Sequence, residues 1–358
     1  MNIIIFIIVL LVVVVVHESG HFFAARSMKM RVHEFAFGFP PRLFSIKRGE
    51  TTYSFNAIPL GGYVSIDGEN GEDSTEENNR TFKSKSKLAQ IWVLFAGPLM
   101  NIVLAFVLIF ASYLGVNQVQ DTVLNPPVVI LEVVKGSPAE ISGVQTGDKI
   151  HSIYTNSNTE PLYNPDIELV QNTITSSHGG EIILEVERSK ELKRLTINPT
   201  EKINENNDDY KIGVALGVLE SKKLSFFPAI GQSAKDTWQL TSGTVIGFGT
   251  LFKNIFTGVS VRDSLMGPVG IAKQVGVVNG LGFVYLLRFT AMISISIGIL
   301  NLMPLPALDG GRIVVSIIEG IRKKDFSAKF LGSLNGIGFL LLIGLLIFIT
   351  VMDVIKLF

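Results

Sequence analysis

Apolar residues are concentrated in four long runs along the chain, and polar residues fill the segments between them. The runs cover about residues 3–25, 88–116, 283–303 and 331–352. Each has about 20 residues or more, the length that an α-helix needs to cross the hydrocarbon core of a bilayer. The pattern predicts a multi-pass α-helical membrane protein with four transmembrane helices, whose first partner is the lipid bilayer.

A cleaved signal peptide is the alternative interpretation of the first run. The stretch FFAARS, residues 22–27, resembles a cleavage site, but no basic residue precedes the apolar core. We therefore expect a retained transmembrane helix.

Lysine and arginine are concentrated in the two shorter segments between the runs. Ten lie between the first and second runs, and five lie between the third and fourth. Because short basic loops face the cytoplasm, both segments are predicted to be cytoplasmic. The long segment of residues 117–282 then lies outside the cytoplasm. The first and third helices both end at the cytoplasmic face.

The composition excludes several classes of site and partner. The chain has no cysteine, which excludes disulfides, thiolate metal sites and a cysteine nucleophile. Its 31 basic residues balance 31 acidic ones, and a net charge of zero argues against nucleic acid as a partner. Any metal ion must therefore be bound by histidine and carboxylate.

Three polar side chains interrupt the first apolar run, in the sequence HESGH: His17, Glu18 and His21. Residues four apart share one face of a helix, so both imidazoles can bind one metal ion with Glu18 beside them. This is the H-E-x-x-H arrangement, in which a carboxylate takes a proton from water that Zn²⁺ has acidified. Polar groups inside a membrane are costly unless they bind an ion or another group, which favours the metal site. The alternative is that neighbouring helices satisfy these groups without a metal.

A zinc site of this kind needs a third protein ligand, and Asp309 is the candidate. It lies in NLMPLPALDGGR, at the predicted cytoplasmic end of the third helix. Pro304 and Pro306 end the regular helix before it, and Gly310 and Gly311 follow, so the backbone bends where the carboxylate must turn inward. The alternative is an ordinary helix end with a solvent-facing aspartate.

Six motifs in order give the chain its resemblance to the site-2 protease family of intramembrane zinc metalloproteases, most closely to the bacterial RseP branch. They are HESGH, FAFGFPPRLFSIKRGETTYSFNAIPLGGYV, FAGPLMNIVLA, GSPAEISGVQTGDKI, GPVGI and NLMPLPALDGGR. The resemblance implies that His17, His21 and Asp309 bind zinc and that Glu18 is the general base.

The resemblance also implies a place for the substrate. Asn301, together with the turn at Pro304 and Pro306, is expected to lie near the scissile peptide and to help hold an unwound substrate. In the second helix, small residues of the family element are expected to allow close helix approach. The residues of that element are Gly97, Pro98 and Asn101.

An alternating pattern in the first cytoplasmic segment predicts a β-hairpin. Phe44, Ile46, Tyr53 and Phe55 alternate on either side of the turn at residues 47–50. In the family this region is a membrane-associated β element on the cytoplasmic side. We expect an exposed edge at Tyr53 and Phe55 to add the substrate as a further strand. The alternative is a purely structural hairpin.

The segment outside the cytoplasm is predicted to contain one PDZ domain and one amphipathic helical region. The first, at residues 117–205, either grips a carboxyl terminus or filters substrates by size. We expect a filter that admits substrates already cut outside. In the second, at residues 206–282, apolar residues recur at helical spacing between Ser225 and Gly258, typical of a helix on the membrane surface. A fifth membrane span is the alternative.

Residues 1–116 and 283–358 are then the two transmembrane halves, and the predicted enzyme is a zinc metalloendopeptidase of the bacterial plasma membrane. It is expected to hydrolyse a peptide bond in or near the transmembrane segment of a single-span protein, in regulated intramembrane proteolysis, with the active site near the cytoplasmic face. An anti-sigma factor or a remnant signal peptide is the substrate that the resemblance implies. The alternatives are a non-hydrolytic scaffold that binds peptides through its PDZ domain, and a metal transporter.

Overall fold

The structure is a computed structural model that describes residues 2–69, 79–115, 128–155, 158–188, 191–200, 211–218, 223–258 and 266–357. It has two compact units. The helical unit comprises Met1–Ser112, Ser225–Asn279 and Tyr285–Phe358, and the sheet unit comprises Tyr113–Leu224 and Gly280–Val284.

The elements follow one another along the chain as helices, a hairpin, a sheet and again helices. They are α1 (Asn2–Ser27), β1 (Val32–Arg48), β2 (Thr51–Ile66), α2 (Lys87–Gly115), β3 (Val128–Val133), α3 (Pro138–Ile141), β4 (Lys149–Thr155), β5 (Asn158–Tyr163), α4 (Ile167–Ser176), β6 (Ile182–Arg188), β7 (Glu191–Ile197), β8 (Val214–Val218), α5 (Phe226–Thr257), α6 (Pro268–Leu281), α7 (Phe283–Asn301), α8 (Asp309–Arg322) and α9 (Ala328–Leu357).

Four helices in the described part of the chain are long and apolar enough to cross a membrane. They are α1, α2, α7 and α9. In the most apolar 18-residue stretch of α9, only 11% is buried inside the protein, so most of the surface of this helix is left for lipid. The chain is therefore a multi-pass membrane protein, while the side on which each segment lies stays a prediction.

A close approach of α1 and α2 brings the two helices into backbone contact. A Cβ atom added at Gly20 would lie 2.3 Å from the carbonyl oxygen of Ala96, which is too close for any side chain. Phe22 and Ala25 of α1 pack with Val93 in the same buried cluster. Small residues permit such contacts between membrane helices, where close packing and not hydrophobicity drives association.

The hairpin of β1 and β2 folds back on itself, so that some of its segments are paired on two sides. Residues 32–37 pair both with residues 62–66 and with residues 52–55, and residues 42–48 pair with residues 51–56. The segment that holds Tyr53 and Phe55 is therefore an inner one, contrary to the expected exposed edge. The register shifts along β1 bring this second pairing about. Within the described hairpin the open edges are residues 42–48 and 62–66.

The sheet unit contains an antiparallel sheet of six strands in the order β7-β6-β4-β3-β8, with β5 paired to β4. Its core is formed by Val128, Ile130, Ile153 and Leu184 of the strands with Val170 of α4. The predicted boundaries at 116/117 and 205/206 lie outside the described residues. Strand β8 follows the second of these boundaries and still belongs to the sheet, because it pairs with β3.

Helix α5 covers the segment for which the sequence predicts an amphipathic helix. Its buried residues are small or polar, namely Ala229, Ser233 and Thr237, whereas the large apolar Ile230 and Trp238 are exposed. The helix is not among the four candidate spans of the described residues. Its apolar side therefore faces away from the protein, as a helix lying on a membrane surface requires.

The contact at Gly20 generates a stability prediction. We expect Gly20→Ala to lower the free energy of unfolding by about 1–3 kcal/mol, because α1 and α2 must separate to admit the methyl group. Gly344→Ala on α9 is the control, since nothing lies within 4 Å of its added Cβ. Thermal unfolding in detergent compares the two variants. Equal midpoints would contradict the close packing.

Candidate active site

Helix α1 places His17, Glu18 and His21 together inside the helical unit. The two histidines are buried, with 6% and 8% of their surfaces exposed, and Glu18 is half-buried. The apolar residues before them continue the helix without a break, so the spacing of four turns both imidazoles to one face. One helix thus supplies two nitrogen ligands and an adjacent carboxylate.

A compact turn places Asp309 at the start of α8. A Cβ added at Gly310 would lie 2.3 Å from the carbonyl oxygen of Leu302. A Cβ added at Gly311 would lie 2.1 Å from the carbonyl oxygen of Leu305. Only glycine at both positions lets the turn fold onto the first residues of the helix. Asp309 lies in the first helical turn, where the helix dipole stabilises a carboxylate.

Asn301, Pro304 and Pro306 flank this turn. Asn301 is the last residue of α7, and its side chain makes no hydrogen bond to the described residues. Pro304 is exposed, whereas Pro306 is half-buried against α9, where a Cβ added at Gly338 would lie 2.5 Å from the Pro306 Cβ. The turn is therefore supported from behind by α9, and the Asn301 amide is available to another molecule.

Three side-chain atoms converge on one point. His17 Nε2 lies 3.1 Å from Asp309 Oδ2, His21 Nε2 lies 3.3 Å from the same oxygen, and the two nitrogens are 3.2 Å apart. Two ligands of a tetrahedral zinc ion, each at about 2.0–2.1 Å, are about 3.3 Å apart. The triangle therefore fits Zn²⁺. Within the described residues it is the single group of three or more acidic or histidine side chains arranged to hold a metal ion.

A hydrogen bond to the main chain sets the tautomer of His21. Its Nδ1 lies 2.8 Å from the carbonyl oxygen of Val93 in α2. A carbonyl oxygen only accepts, so Nδ1 donates, and in a neutral imidazole the lone pair is then on Nε2. This is the nitrogen in the triangle, and such orientation by a carbonyl is usual for metal-binding histidines.

The surroundings of Asp309 favour the ionised form of its carboxyl group, which is the form that binds a metal ion. Burial raises its pKa, but the neighbouring His21 and His17 lower the pKa more strongly, and the result lies well below the ordinary value. The charge of the triangle is thus suited to a divalent cation.

Two further residues touch this group, and the sequence did not indicate them as neighbours of it. The Asn101 amide nitrogen lies 3.3 Å from His17 Nδ1. A Cβ added at Gly62 of β2 would lie 3.1 Å from Glu18 Cγ. The open hairpin segment of residues 62–66 therefore begins beside Glu18. By contrast, Tyr53 packs against Phe22 on the inner segment.

Comparison with known proteins adds an independent line of support. The profile described as Peptidase family M50 matches residues 5–345. The chain belongs to peptidase family M50, the site-2 protease family. The resemblance predicted from the six motifs is thus confirmed at the level of the family.

Named relatives extend over nearly the whole chain. A candidate zinc metalloprotease of Fusobacterium nucleatum is 35% identical over 345 residues, covering 96% of this chain and 95% of its own length. A candidate zinc metalloprotease of Clostridium perfringens is 32% identical over 341 residues, covering 95% and 94%. Zinc metalloprotease RasP of Geobacillus kaustophilus is 29% identical over 433 residues, covering 100% and 98%.

This M50 protein is accordingly a zinc metalloprotease of the site-2 type, and Zn²⁺ is its cofactor. The prediction of an enzyme and of its metal is confirmed. The assignment of His17, His21, Asp309 and Glu18 to individual roles stays a prediction, which the geometry supports.

The position of Gly97 generates a prediction about zinc binding. A Cβ added there would lie 2.2 Å from His21 Nε2, so Gly97→Ala must displace the imidazole. We expect zinc affinity to fall by about 10–100-fold, the range typical when the orientation of a ligand is lost. Gly115→Ala on the same helix is the control, since its added Cβ meets nothing within 4 Å. Competition with a chelator gives the affinities, and an unchanged value for Gly97→Ala would refute the placement.

Proposed function

We propose that this M50 protein cleaves a peptide bond in or near the transmembrane segment of single-span membrane proteins. In this proposal His17, His21 and Asp309 bind zinc and Glu18 is the general base. The observation that carries the proposal is the triangle of ligand atoms, 3.1–3.3 Å on each side, built partly on a helix long and apolar enough to span a membrane.

Bound zinc supplies a Lewis acid that polarises the scissile carbonyl and makes water a better nucleophile. Glu18 lies next to His17 on the helix, on the side of Gly62. From there its carboxylate takes a proton from the attacking water and returns one to the leaving amine. Both buried histidines contact residues of α2, which hold their rings in a fixed orientation beside Glu18.

A substrate must be extended before a protease can cut it, and the open hairpin segment offers a template. Among the described residues, the segment 62–66 pairs on one side only, with residues 32–37, and it begins beside Glu18. An extended peptide added to this edge gains main-chain hydrogen bonds and passes the base. The inner segment with Tyr53 and Phe55 has no free side for such pairing, so the substrate edge is reassigned to residues 62–66.

The turn before Asp309 supplies a second contact to the substrate. The Asn301 amide has both donor and acceptor atoms and no partner among the described residues. It is suited to bind the main chain of a peptide that leaves its helix. Pro304 and Pro306 keep the turn in a fixed non-helical form.

The sheet unit is proposed to be a PDZ domain that acts as a size filter outside the cytoplasm of a bacterial cell. The active site then lies near the cytoplasmic face of the plasma membrane, as in the RseP branch. The lysines and arginines of the two shorter segments between the apolar runs support this placement, because short basic loops face the cytoplasm. Anti-sigma factors and remnant signal peptides are the proposed substrates, each first shortened outside by another protease.

Cleavage of a tagged transmembrane reporter in reconstituted membranes tests the function. We expect Glu18→Gln and Asp309→Ala to abolish cleavage, because one removes the base and the other a ligand. Wild-type chain should cut a reporter with a shortened outer part and spare the full-length form. Cleavage that survives Glu18→Gln would contradict the role of Glu18 as general base. The scaffold alternative requires that neither the wild type nor any variant cuts the reporter.

Proline substitution tests the substrate edge. Successive residues of a strand direct their N–H groups to opposite sides, so either Val64 or Ser65 faces the open side. We expect one of Val64→Pro and Ser65→Pro to reduce cleavage about tenfold at unchanged abundance, through lost hydrogen bonds and a steric clash. Ser45→Pro and Ile46→Pro, on the other open edge, are the matched pair. Equal rates for all four folded variants would exclude strand addition at residues 62–66.

A further inference from the structure

Asn101 of α2 is a fully buried side chain with one polar atom unpartnered. Its surface is 0% exposed, and its Nδ2 lies 3.3 Å from His17 Nδ1. Its Oδ1 has no hydrogen-bond partner within the described residues. A buried carbonyl oxygen without a donor is rare in folded proteins and calls for a physical cause.

The unpartnered oxygen is explained by the two orientations that an amide group of the same shape can take. Rotation by 180° about the Cβ–Cγ bond exchanges the oxygen and the nitrogen without changing the shape of the side chain. With the nitrogen toward His17, Nδ1 would accept, and a neutral imidazole would carry its proton on Nε2. That proton would point at His21 Nε2 and Asp309 Oδ2, which lie 3.2 and 3.1 Å away. It would occupy the place that the metal ion needs.

With the oxygen toward His17, the oxygen gains a donor and the proton leaves the side of the imidazole that faces the triangle. Nδ1–H donates to Oδ1, which gives the buried oxygen its partner. The lone pair of Nε2 then faces the triangle. His21 has the same arrangement through the Val93 carbonyl, so both imidazoles present the same kind of nitrogen.

We propose that Asn101 is a positioning residue for the metal centre, and that its Oδ1 accepts a hydrogen bond from His17 Nδ1 and holds Nε2 toward zinc. The inference rests on the proposed ligand set. Helix α7 supports this part of α2, because Ser294 Oγ donates to the Asn101 carbonyl oxygen at 2.8 Å. A Cβ added at Gly298 would lie 3.1 Å from Asn101 Cβ, so the side chain has little freedom to move away.

The two histidines therefore differ in what a substitution can do to them. The partner of His21 is main chain and is present whatever residue stands at position 93. The partner of His17 is a side chain, and Asn101→Leu replaces it with an apolar group of the same branched shape and larger volume. Asn101→Asp retains an acceptor oxygen but no donor, so it separates the proposed orientation from the opposite one.

The test is zinc affinity of the purified full-length chain, measured by chelator competition, together with the absorption spectrum of bound Co²⁺. Asn101→Leu is expected to bind zinc about 10–100-fold more weakly and to change the Co²⁺ spectrum. Asn101→Asp is expected to keep both close to wild type. Asn254→Leu on α5 is the control for loss of an asparagine elsewhere. Asn101→Ala replaces the leucine variant if the latter does not accumulate.

His21→Ala separates failure of this inference from failure of the site. If His21→Ala loses zinc while Asn101→Leu and Asn101→Ala bind it as wild type does, Asn101 has no positioning role and the ligand set stands. If Asn101→Asp weakens binding as much as Asn101→Leu, the acceptor role is refuted. Retention of zinc by His21→Ala would overturn the ligand set and this inference with it.

Discussion

The structure depends on bringing three ligand atoms from two distant parts of the chain to within 3.3 Å of one another in an apolar surrounding. Two imidazoles and a carboxylate in such a place are costly when apart, and a divalent cation removes the cost only if all three reach it. The helices around the site are therefore arranged for proximity. Close contact between backbones accompanies the burial of apolar side chains such as Phe22 and Leu94.

Glycine makes each of these contacts possible. Gly20 lets α1 approach the backbone of α2, Gly97 leaves space for the His21 ring, and Gly310 and Gly311 let the turn close over the first residues of α8. These positions are far apart in the chain but surround one centre. Zinc chemistry thus constrains backbone packing as much as it constrains the identity of the ligands.

Much of this arrangement was predictable from the sequence, and the reasons differ between elements. The four spans were visible because an uninterrupted apolar run of that length is rarely anything but a membrane helix. His17 and His21 were visible because a spacing of four has a direct meaning on a helix, and Asp309 because topology and zinc chemistry both required an acid there. The open edge was assigned to the wrong segment, since alternation reveals a strand but not a second pairing partner produced by register shifts. The contacts of Asn101 and Gly62 are long-range, and no local pattern encodes them.

One consequence follows from the oxygen that orients His21. The carbonyl of Val93 belongs to the peptide unit, which every codon at that position supplies. A saturation screen of position 93 will therefore report on the side chain and will assign this contact no weight. Tolerance of substitutions at Val93 therefore does not measure how much its carbonyl group contributes to orienting His21. A change to the polypeptide backbone, such as an ester linkage, would measure that contribution.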